Sequence, residues 1–359
     1  PRGAYTTART VKGGTHIYQF DYHVRRMATS AASILDNMNP TREHDGDPSK
    51  KDGVYDLQIT DEAWEREMAL SCIRSTLDAF CSKYQIKDDS VKEGDGGKQE
   101  FRIVLLATWE KNEEGEQQRG QREEEEQNAF ESVLYCHVGL LPQSSSASNN
   151  DQSTTQRKHI TVLIHGHGRE NALAKDSKWV IDRKELIQQP SSKGSSNSSP
   201  TSSKYEEIIL LNDNGELLEG TQTNFYVVND QSSSIITADE GILYGSVRDS
   251  VLRVCNSHDI TVELRPPTLD DLQHASGVFI TSTSRLVMPV HEVVLGDLLS
   301  FGATNGSSNN EDGGNNEDDG SASQSLPASY CYPNCRTTEN IRKWVLEDVA
   351  THSTSIYPN

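Results

Sequence analysis

The N-terminal residues alternate between β-prone and polar positions until the pattern changes at His23. The alternation in residues 5–20 (YTTARTV, then THIYQF) predicts a β-hairpin. From His23 onward, apolar residues return with the spacing of one helix face: Val24, Met27, Ala31, Ile34 and Leu35. The sequence therefore predicts a hairpin followed by an amphipathic helix.

The next patterned segments complete a small α/β domain. Residues 61–84 repeat the helical spacing, with Asp61 as the candidate N-cap. Residues 101–109 (FRIVLLATW) and 130–138 (FESVLYCHV) are largely apolar runs, which are typical of buried strands. We therefore expect residues 1–140 to form a small N-terminal α/β domain.

The C-terminal half interleaves strand and helix patterns. Strands are predicted at 206–212, 224–229, 233–238, 259–264 and 277–284, and helices at 245–258, 268–275 and 341–350. The DNG sequence at 213–215 is a hairpin signal. This order predicts a larger α/β domain over residues 159–359, in which several strand ends come together.

Polar stretches without apolar periodicity interrupt both halves. They are dominated by Ser, Asn, Gly, Asp, Glu or Gln and lie at 37–53, 87–99, 111–128, 143–157, 190–204 and 302–326. This composition is typical of disordered segments. We therefore expect a linker at 141–158 between the domains, and a Ser-rich insertion at 190–204 and a disordered insertion at 302–326 within the larger domain.

The chain as a whole is strongly acidic. It has 359 residues, with 34 Lys and Arg against 54 Asp and Glu, which gives a formal net charge of −20. Such a surface repels phosphate backbones, so the charge argues against nucleic acid as a partner. No apolar run approaches the roughly 20 residues that span a bilayer, which predicts a soluble protein without membrane association.

The six cysteines do not have the density of a disulfide framework, which predicts a reducing compartment. Cys331 and Cys335 form CYPNC, which resembles half of a zinc site, but no second ligand pair accompanies it, so we expect no metal. The chain begins with Pro1 rather than Met, which predicts a truncated N-terminus. Its location is expected to be cytoplasmic or organellar, in a plastid or mitochondrion.

Three neighbourhoods carry groups that bind phosphate. Gly245, Ser246 and Val247 stand at the start of a predicted helix, whose free N–H groups and dipole favour an anion. Residues 280–284 (ITSTS) add hydroxyl donors at a strand end, and Arg26 has a guanidinium fork that matches phosphate. Each pattern alone also fits a plain turn, a solvated loop or an exposed arginine. The hypothesis is that all three converge on one phosphate.

Several motifs, in order, give these neighbourhoods a context. They are GAYTTART with HVRRMATSA, then LLNDNGELLEGTQTNFYVV, then ILYGSVRDSVLRV, then VFITSTSRLVMPV. In order and spacing they resemble the class IV aminotransferases, a family of pyridoxal 5'-phosphate (PLP) enzymes that includes branched-chain and D-amino-acid aminotransferases and aminodeoxychorismate lyases. The resemblance implies an α/β (α+β) fold of PLP fold type IV. Its parts are a small N-terminal α/β domain and a larger C-terminal α/β pseudo-barrel domain that binds PLP.

The resemblance also implies roles for single residues. It makes Arg26 of HVRRM the phosphate-binding arginine and Glu219 of LEGTQTNF the partner of the pyridine nitrogen. A carboxylate at that place keeps the nitrogen protonated, so that the ring withdraws electrons from the substrate's α-carbon. Tyr5 falls beside cofactor and substrate. Val247 stands where the family often has threonine, which removes one hydroxyl. In the C-terminal half of the chain, the resemblance implies four phosphate-binding residues: Ser246, Val247, Ser282 and Thr283.

The catalytic lysine that forms the Schiff base has three candidates in ALAKDSKWVIDRKEL: Lys175, Lys178 and Lys184. Without the Ser-rich insertion, the interval from Lys175 to Glu219 matches that of the family, so the resemblance favours Lys175, with Lys178 as the alternative. The family commonly continues with a small residue and an asparagine, whereas this chain has Asp176 and Ser177. Lysines on an amphipathic helix are also typical of a solvated surface.

The resemblance implies three hypotheses for the function. The first is a PLP-dependent aminotransferase with amino acid and keto acid substrates. The second is an aminodeoxychorismate-lyase-like enzyme that releases pyruvate, because both use the same lysine, glutamate and phosphate site. The third is a PLP-binding relative with little catalysis. It is favoured by the residues after Lys175 and by Val247. A homodimer is implied as well, since such pockets are completed by a neighbouring subunit.

Overall fold

The computed structural model describes residues 2–38, 62–86, 99–111, 130–141, 160–188, 205–296 and 327–357. The predicted polar stretches lie outside these ranges except at a few of their end residues. The linker at 141–158, apart from Leu141, and the candidate N-cap Asp61 also lie outside the described residues.

Two compact units make up the chain. Unit 1 comprises Pro1–Ser153, Leu173–Asp182 and Leu346–Asn359, and unit 2 comprises Thr154–Ala172 and Arg183–Val345. Unit 1 therefore includes residues 173–182 and 346–359, which the sequence-based boundary at 159 assigns to the larger domain. The segment that carries Lys175 thus folds with the N-terminal strands.

Unit 1 is built on a five-stranded antiparallel sheet. Its elements are β1 (Gly3–Val11), β2 (His16–Tyr18), α1 (Phe20–Met38), α2 (Glu62–Tyr84), β3 (Phe101–Lys111), β4 (Phe130–Leu140) and β15 (Ser353–Ser355). The strand order is β15-β2-β1-β3-β4. The predicted hairpin, the two predicted helices and the two predicted strands are confirmed, and the C-terminal β15 was not predicted.

The predicted apolar face of α1 lies in the core of unit 1. Val24, Met27 and Ala31 are each no more than 3% exposed and cluster with Ile103 and Leu105 of β3. The prediction that β4 is a buried strand is wrong, because Tyr135 is 45% and Leu140 54% exposed. Strand β4 lies at the edge of the sheet, where β3 is its one partner strand among the described residues.

Unit 2 contains most of the remaining elements. They are β5 (Thr161–His167), β6 (Glu207–Leu211), β7 (Leu217–Gly220), β8 (Asn224–Asn229), β9 (Ser234–Thr237), α4 (Ser246–Ser257), β10 (Thr261–Leu264), α5 (Leu269–Gln273), β11 (Gly277–Ser282), β12 (Leu286–Val290), β13 (Glu292–Val294) and β14 (Ser329–Cys331). Two further helices, α3 (Lys178–Gln188) and α6 (Arg336–Thr351), contain residues of both units. The strands and helices predicted for the C-terminal half are confirmed. None of the described helices is long and apolar enough to cross a membrane.

The ten-stranded sheet of unit 2 brings two polar residues together at the end of a hairpin. Its order is β10-β9-β8-β7-β6-β5-β13-β14, with β11 paired to both β8 and β12. Strand β8 pairs with β7 through Glu219 and Asn224 and with β9 through residues 227–229, while β11 pairs with residues 224–228 of β8. Glu219 and Asn224 are therefore opposed where β8 changes partners.

Helix α5 begins with a capping box that an arginine reinforces. Asp271 N donates to Thr268 Oγ1 (3.2 Å), and Thr268 N donates to Asp271 Oδ2 (2.7 Å). Arg265 donates to both carboxylate oxygens of Asp271, at 2.7 and 2.8 Å. The Arg265 guanidinium, with the hydrogen bonds from Thr268, lowers the pKa of Asp271 from 3.8 to about 2.

Replacing Asp271 with Asn is expected to lower the free energy of unfolding by about 1–2 kcal/mol near pH 7, since the arginine is partly exposed and the pair is screened. The folded-state pKa lies below the unfolded one. The stabilisation is therefore complete above about pH 4 and is lost as the pH falls through about 2. Denaturant unfolding of both proteins across this range measures the difference. The exposed neighbour Asp270 supplies the matched control, Asp270→Asn. A difference for Asp271→Asn that persists undiminished at low pH rejects this account.

Candidate functional site

Backbone hydrogen bonds fix the segment around Lys175 against strand β1 within unit 1. Tyr5 N donates to Lys175 O, and Ser177 N donates to Gly3 O, both at 2.9 Å. Ala4 and Asp176 form an isolated antiparallel bridge between them. Lys175 therefore has a fixed backbone position, just before α3 begins at Lys178.

The three candidate lysines have different surroundings. Lys175 is half-buried, and its Nζ lies 4.5 Å from the centre of the Tyr5 ring. Lys178 is exposed and donates to Asp182 Oδ2 at 2.6 Å, one helical turn away. The Asp182 carboxylate raises the pKa of Lys178, which keeps that amine protonated and non-nucleophilic. Lys184 is exposed on α3.

The aspartate that follows Lys175 has a structural partner. Arg2 Nε and Nη2 donate to Asp176 Oδ2 at 2.9 and 2.6 Å, and Lys178 N donates to Asp176 Oδ1 at 2.8 Å. Gly3 N also donates to Ser177 Oγ at 2.9 Å. Asp176 and Ser177, at which the chain departs from the family pattern, thus tie the lysine segment to the N-terminal strand and to the start of α3.

Arg26 lies in a polar cluster between α1 and β1. Its Nη2 donates to Thr6 Oγ1 at 2.9 Å and lies 3.2 Å from His23 Nδ1. Thr6 Oγ1 and His23 Nδ1 are 2.8 Å apart, and both residues are buried. The half-buried guanidinium has a pKa below its ordinary value because of its burial. Sequence reasoning predicted Arg26 and missed Thr6 and His23.

In unit 2, Glu219 is a buried carboxylate with both oxygens engaged. Arg169 Nε and Nη2 donate to Oε1 at 3.0 and 2.6 Å, and Leu243 N donates to Oε2 at 3.0 Å. The Arg169 and Glu219 side chains are only 9% and 4% exposed. A buried carboxylate paired in this way is held in one orientation. Sequence reasoning missed Arg169.

The loop that leads into α4 is fixed by the same hairpin end that carries Glu219. Glu219 binds Leu243 N, and Asn224 Nδ2 donates to Leu243 O at 2.8 Å. A β-carbon on Gly245 would overlap Asn224 Oδ1, so the close approach requires glycine. The position of the α4 N-terminus therefore depends on Glu219 and Asn224 together.

The N-terminus of α4 has the features of an anion site. Gly245 is its N-cap and has no side chain to bond the first N–H groups of the helix. Ser246 Oγ lies 3.2 Å from Thr283 Oγ1, which brings two of the predicted phosphate-binding residues together. Ser282 Oγ accepts from Arg285 N at 3.2 Å in the β11–β12 turn. The side chain of Val247 is buried and has no polar atom, so its backbone N–H is the one donor that this residue has for a phosphate.

The described residues contain no group of three His, Cys, Asp or Glu side chains that could hold a metal ion. Cys331 is exposed and Cys335 is buried, and neither thiol forms a disulfide. Cys335 Sγ lies 3.7 Å from Asp230 Oδ1. The CYPNC motif is therefore part of the unit 2 packing.

Part of the chain matches a known family. The family model described as Amino-transferase class IV matches residues 201–293. The putative branched-chain-amino-acid aminotransferase of Methanocaldococcus jannaschii is 35% identical over 88 residues, which are 24% of this chain and 31% of that protein. The D-alanine aminotransferase of Bacillus licheniformis is 37% identical over 87 residues, 24% of this chain and 30% of that protein. The match thus spans about a third of the length of these curated relatives.

Solved structures resemble the chain over most of its length. The branched-chain aminotransferase of the archaeon Thermoproteus uzoniensis, with norvaline, has a TM-score of 0.59 at 13% identity, covering 99% of this chain and 90% of that one. A hypothetical aminotransferase of Mycobacterium tuberculosis, in its PLP-bound form, has a TM-score of 0.56 at 13% identity, covering 97% and 89%. Residues 201–293 therefore match the class IV aminotransferase family, and the chain has the α/β fold of the fold type IV aminotransferases.

Proposed function

We propose that the chain is a PLP-dependent aminotransferase that acts at the α-carbon of an amino acid through a Schiff base at Lys175. The observation that carries the proposal is the buried Glu219 carboxylate, which lies inside the segment that matches the family and pairs with Arg169. A carboxylate so placed suits the protonated ring nitrogen on which PLP chemistry depends. The relatives and the solved structures described above are themselves named as aminotransferases, and one of those structures contains PLP.

The residues fit the three functional groups of PLP. A phosphate matches the guanidinium of Arg26 and the uncapped N-terminus of α4 with its hydroxyls. A pyridine nitrogen matches Glu219, and an aldehyde matches the amine of Lys175. The assignment of Arg26, Lys175 and Glu219 to these groups of PLP rests on the family resemblance.

Each residue then has a definite task. PLP, when bound, supplies an electron sink for the bond that breaks at the substrate's α-carbon. Lys175 Nζ holds the cofactor and afterwards moves a proton at that carbon as general base and acid. Arg26, Ser246, Ser282, Thr283 and the backbone N–H of Val247 bind the phosphate. Glu219 keeps the ring nitrogen protonated, and Tyr5 bounds the space beside Lys175.

The substrates proposed are an amino acid and a keto acid. The matched relatives are named for branched-chain amino acids and for D-alanine, so amino donors of both hands belong in a substrate screen. The homodimer expected from the resemblance stays a prediction. Cleavage with release of pyruvate is the outcome that would assign the lyase chemistry instead.

Replacing Lys175 with Ala is expected to abolish the covalent attachment of PLP and to lower single-turnover rates by about 10²–10⁴-fold, because it removes the base that moves the proton. The test is borohydride reduction with added PLP, followed by peptide mass mapping. Lys178→Ala is the matched control, since it removes an exposed amine three residues away. The proposal predicts a pyridoxyl adduct on Lys175 in the native protein and in this control. An adduct on Lys178 overturns the assignment.

Replacing Glu219 with Gln is expected to leave PLP bound but to lower kcat by about 100-fold, because a neutral amide does not hold the ring nitrogen protonated. The matched control is Glu216→Gln in the turn just before β7, where Glu216 Oε2 accepts from Asn212 Nδ2. Because Glu219→Gln also removes the negative charge that pairs with Arg169, the thermal unfolding of both variants is measured alongside. A Glu219→Gln protein that is folded and retains full kcat contradicts the role of this carboxylate.

A further inference from the structure

The contacts of Arg26 with Thr6 and His23 constrain where the protons of this cluster lie. A guanidinium has donors and no acceptor, so Arg26 Nη2 must donate to Thr6 Oγ1 and to His23 Nδ1. His23 Nδ1 is therefore an acceptor without a proton. The hydroxyl of Thr6, 2.8 Å away, then donates its single proton to the same nitrogen and leaves its lone pairs for Arg26.

This arrangement fixes the state of His23. Its ring is neutral, with the proton on Nε2, which is buried and has no hydrogen-bond partner among the described residues. A proton on Nδ1 would face the N–H donor of Arg26, 3.2 Å away. Burial, with the positive charges of Arg26 and Lys175, holds the pKa of His23 well below its ordinary value, which agrees with the neutral ring.

We infer that Thr6 and His23 are positioning residues that hold the guanidinium of Arg26 in place for the phosphate of PLP. The inference rests on the proposed function, in which Arg26 binds that phosphate. An unrestrained arginine side chain gives up considerable rotamer entropy on binding, and a fork that is held beforehand gives up less. Thr6 supplies an oxygen from β1, and His23 supplies a nitrogen from the turn of α1 before Arg26.

A purely structural role for the same cluster makes a different prediction. If Thr6 and His23 only fill the space between β1 and α1, their loss weakens the fold without regard to the chemistry of the ligand. If they hold Arg26 for phosphate, their loss weakens the binding of PLP but spares pyridoxal, which lacks the phosphate. The ratio of the two dissociation constants therefore separates the roles.

The experiment measures the Kd of PLP and of pyridoxal, by absorbance titration, for the whole protein and its variants. Thr6→Val removes the oxygen at nearly constant volume, and Thr6→Ser restores it. His23→Phe removes the ring nitrogen, and His23→Asn keeps an acceptor at the same distance along the side chain. The matched control is Thr10→Val on the same strand, which removes a buried hydroxyl that bonds Glu100 and not Arg26.

Thr6→Val and His23→Phe are expected to raise the Kd of PLP about tenfold, the typical effect of losing a hydrogen bond to a charged group, and to change that of pyridoxal less than about twofold. Thr6→Ser and His23→Asn are expected to recover most of the loss. Thr10→Val is expected to leave the ratio of the two constants unchanged. Equal weakening of both ligands, or no weakening, overturns the positioning role.

Arg26→Gln distinguishes a failure of this inference from a failure of the proposed function. If Arg26→Gln lowers the preference for PLP over pyridoxal while Thr6→Val and His23→Phe do not, the positioning role alone is wrong. If Arg26→Gln leaves the preference unchanged, Arg26 does not bind the phosphate, and the positioning role is overturned with that contact.

The protonation of His23 gives a second test that needs no binding. The ¹⁵N chemical shifts of the imidazoles in the whole protein, assigned by the signal that disappears in His23→Asn, report the tautomer. The expected result is a neutral ring protonated on Nε2. A ring protonated on Nδ1 is incompatible with donation from Arg26 and overturns the arrangement.

Discussion

The buried carboxylate of Glu219 is the group on which the arrangement of unit 2 depends. A charge with so little exposure is tolerated only when it is paired and hydrogen-bonded. Arg169 pairs with one of its oxygens through two N–H groups, and the backbone of Leu243 satisfies the other. One side chain thereby connects the segment after β5, the β7–β8 hairpin and the loop before α4. The requirement to satisfy this charge fixes the loop whose end is the candidate phosphate site.

In unit 1, a paired charge likewise fixes the segment around Lys175. The lysine segment is not part of a helix but pairs with β1, and the Arg2–Asp176 ion pair reinforces that pairing. In the sequence, Asp176 departs from the family pattern, and this departure favours the hypothesis of a PLP-binding relative with little catalysis. Its contacts give it a structural role instead, so Asp176 by itself is not an argument against a reactive lysine at position 175.

Local patterns predicted the elements well because each depends on residues that are close in sequence. The apolar spacing of α1 and the β-prone runs of both sheets are of this kind. The signals failed where partners are distant: Arg169 is 50 residues from Glu219, and no spacing connects them. The sequence signal that could have indicated Arg169 is its position as a charged residue shortly after the buried strand β5. For Thr6, the sign was a polar residue in register with Ala4 and Ala8 on the buried side of β1.

The central claim is that the chain transfers an amino group with PLP. The most direct measurement is a single-turnover reaction of the PLP-loaded protein with L-leucine and, separately, with D-alanine, in the absence of any keto acid. The visible absorbance of bound PLP and the keto acid formed are followed together. The account predicts that one donor bleaches the absorbance and yields one keto acid per active site, and that added keto acid restores it. Bound PLP that stays unchanged with every amino acid in a wider panel would contradict the account.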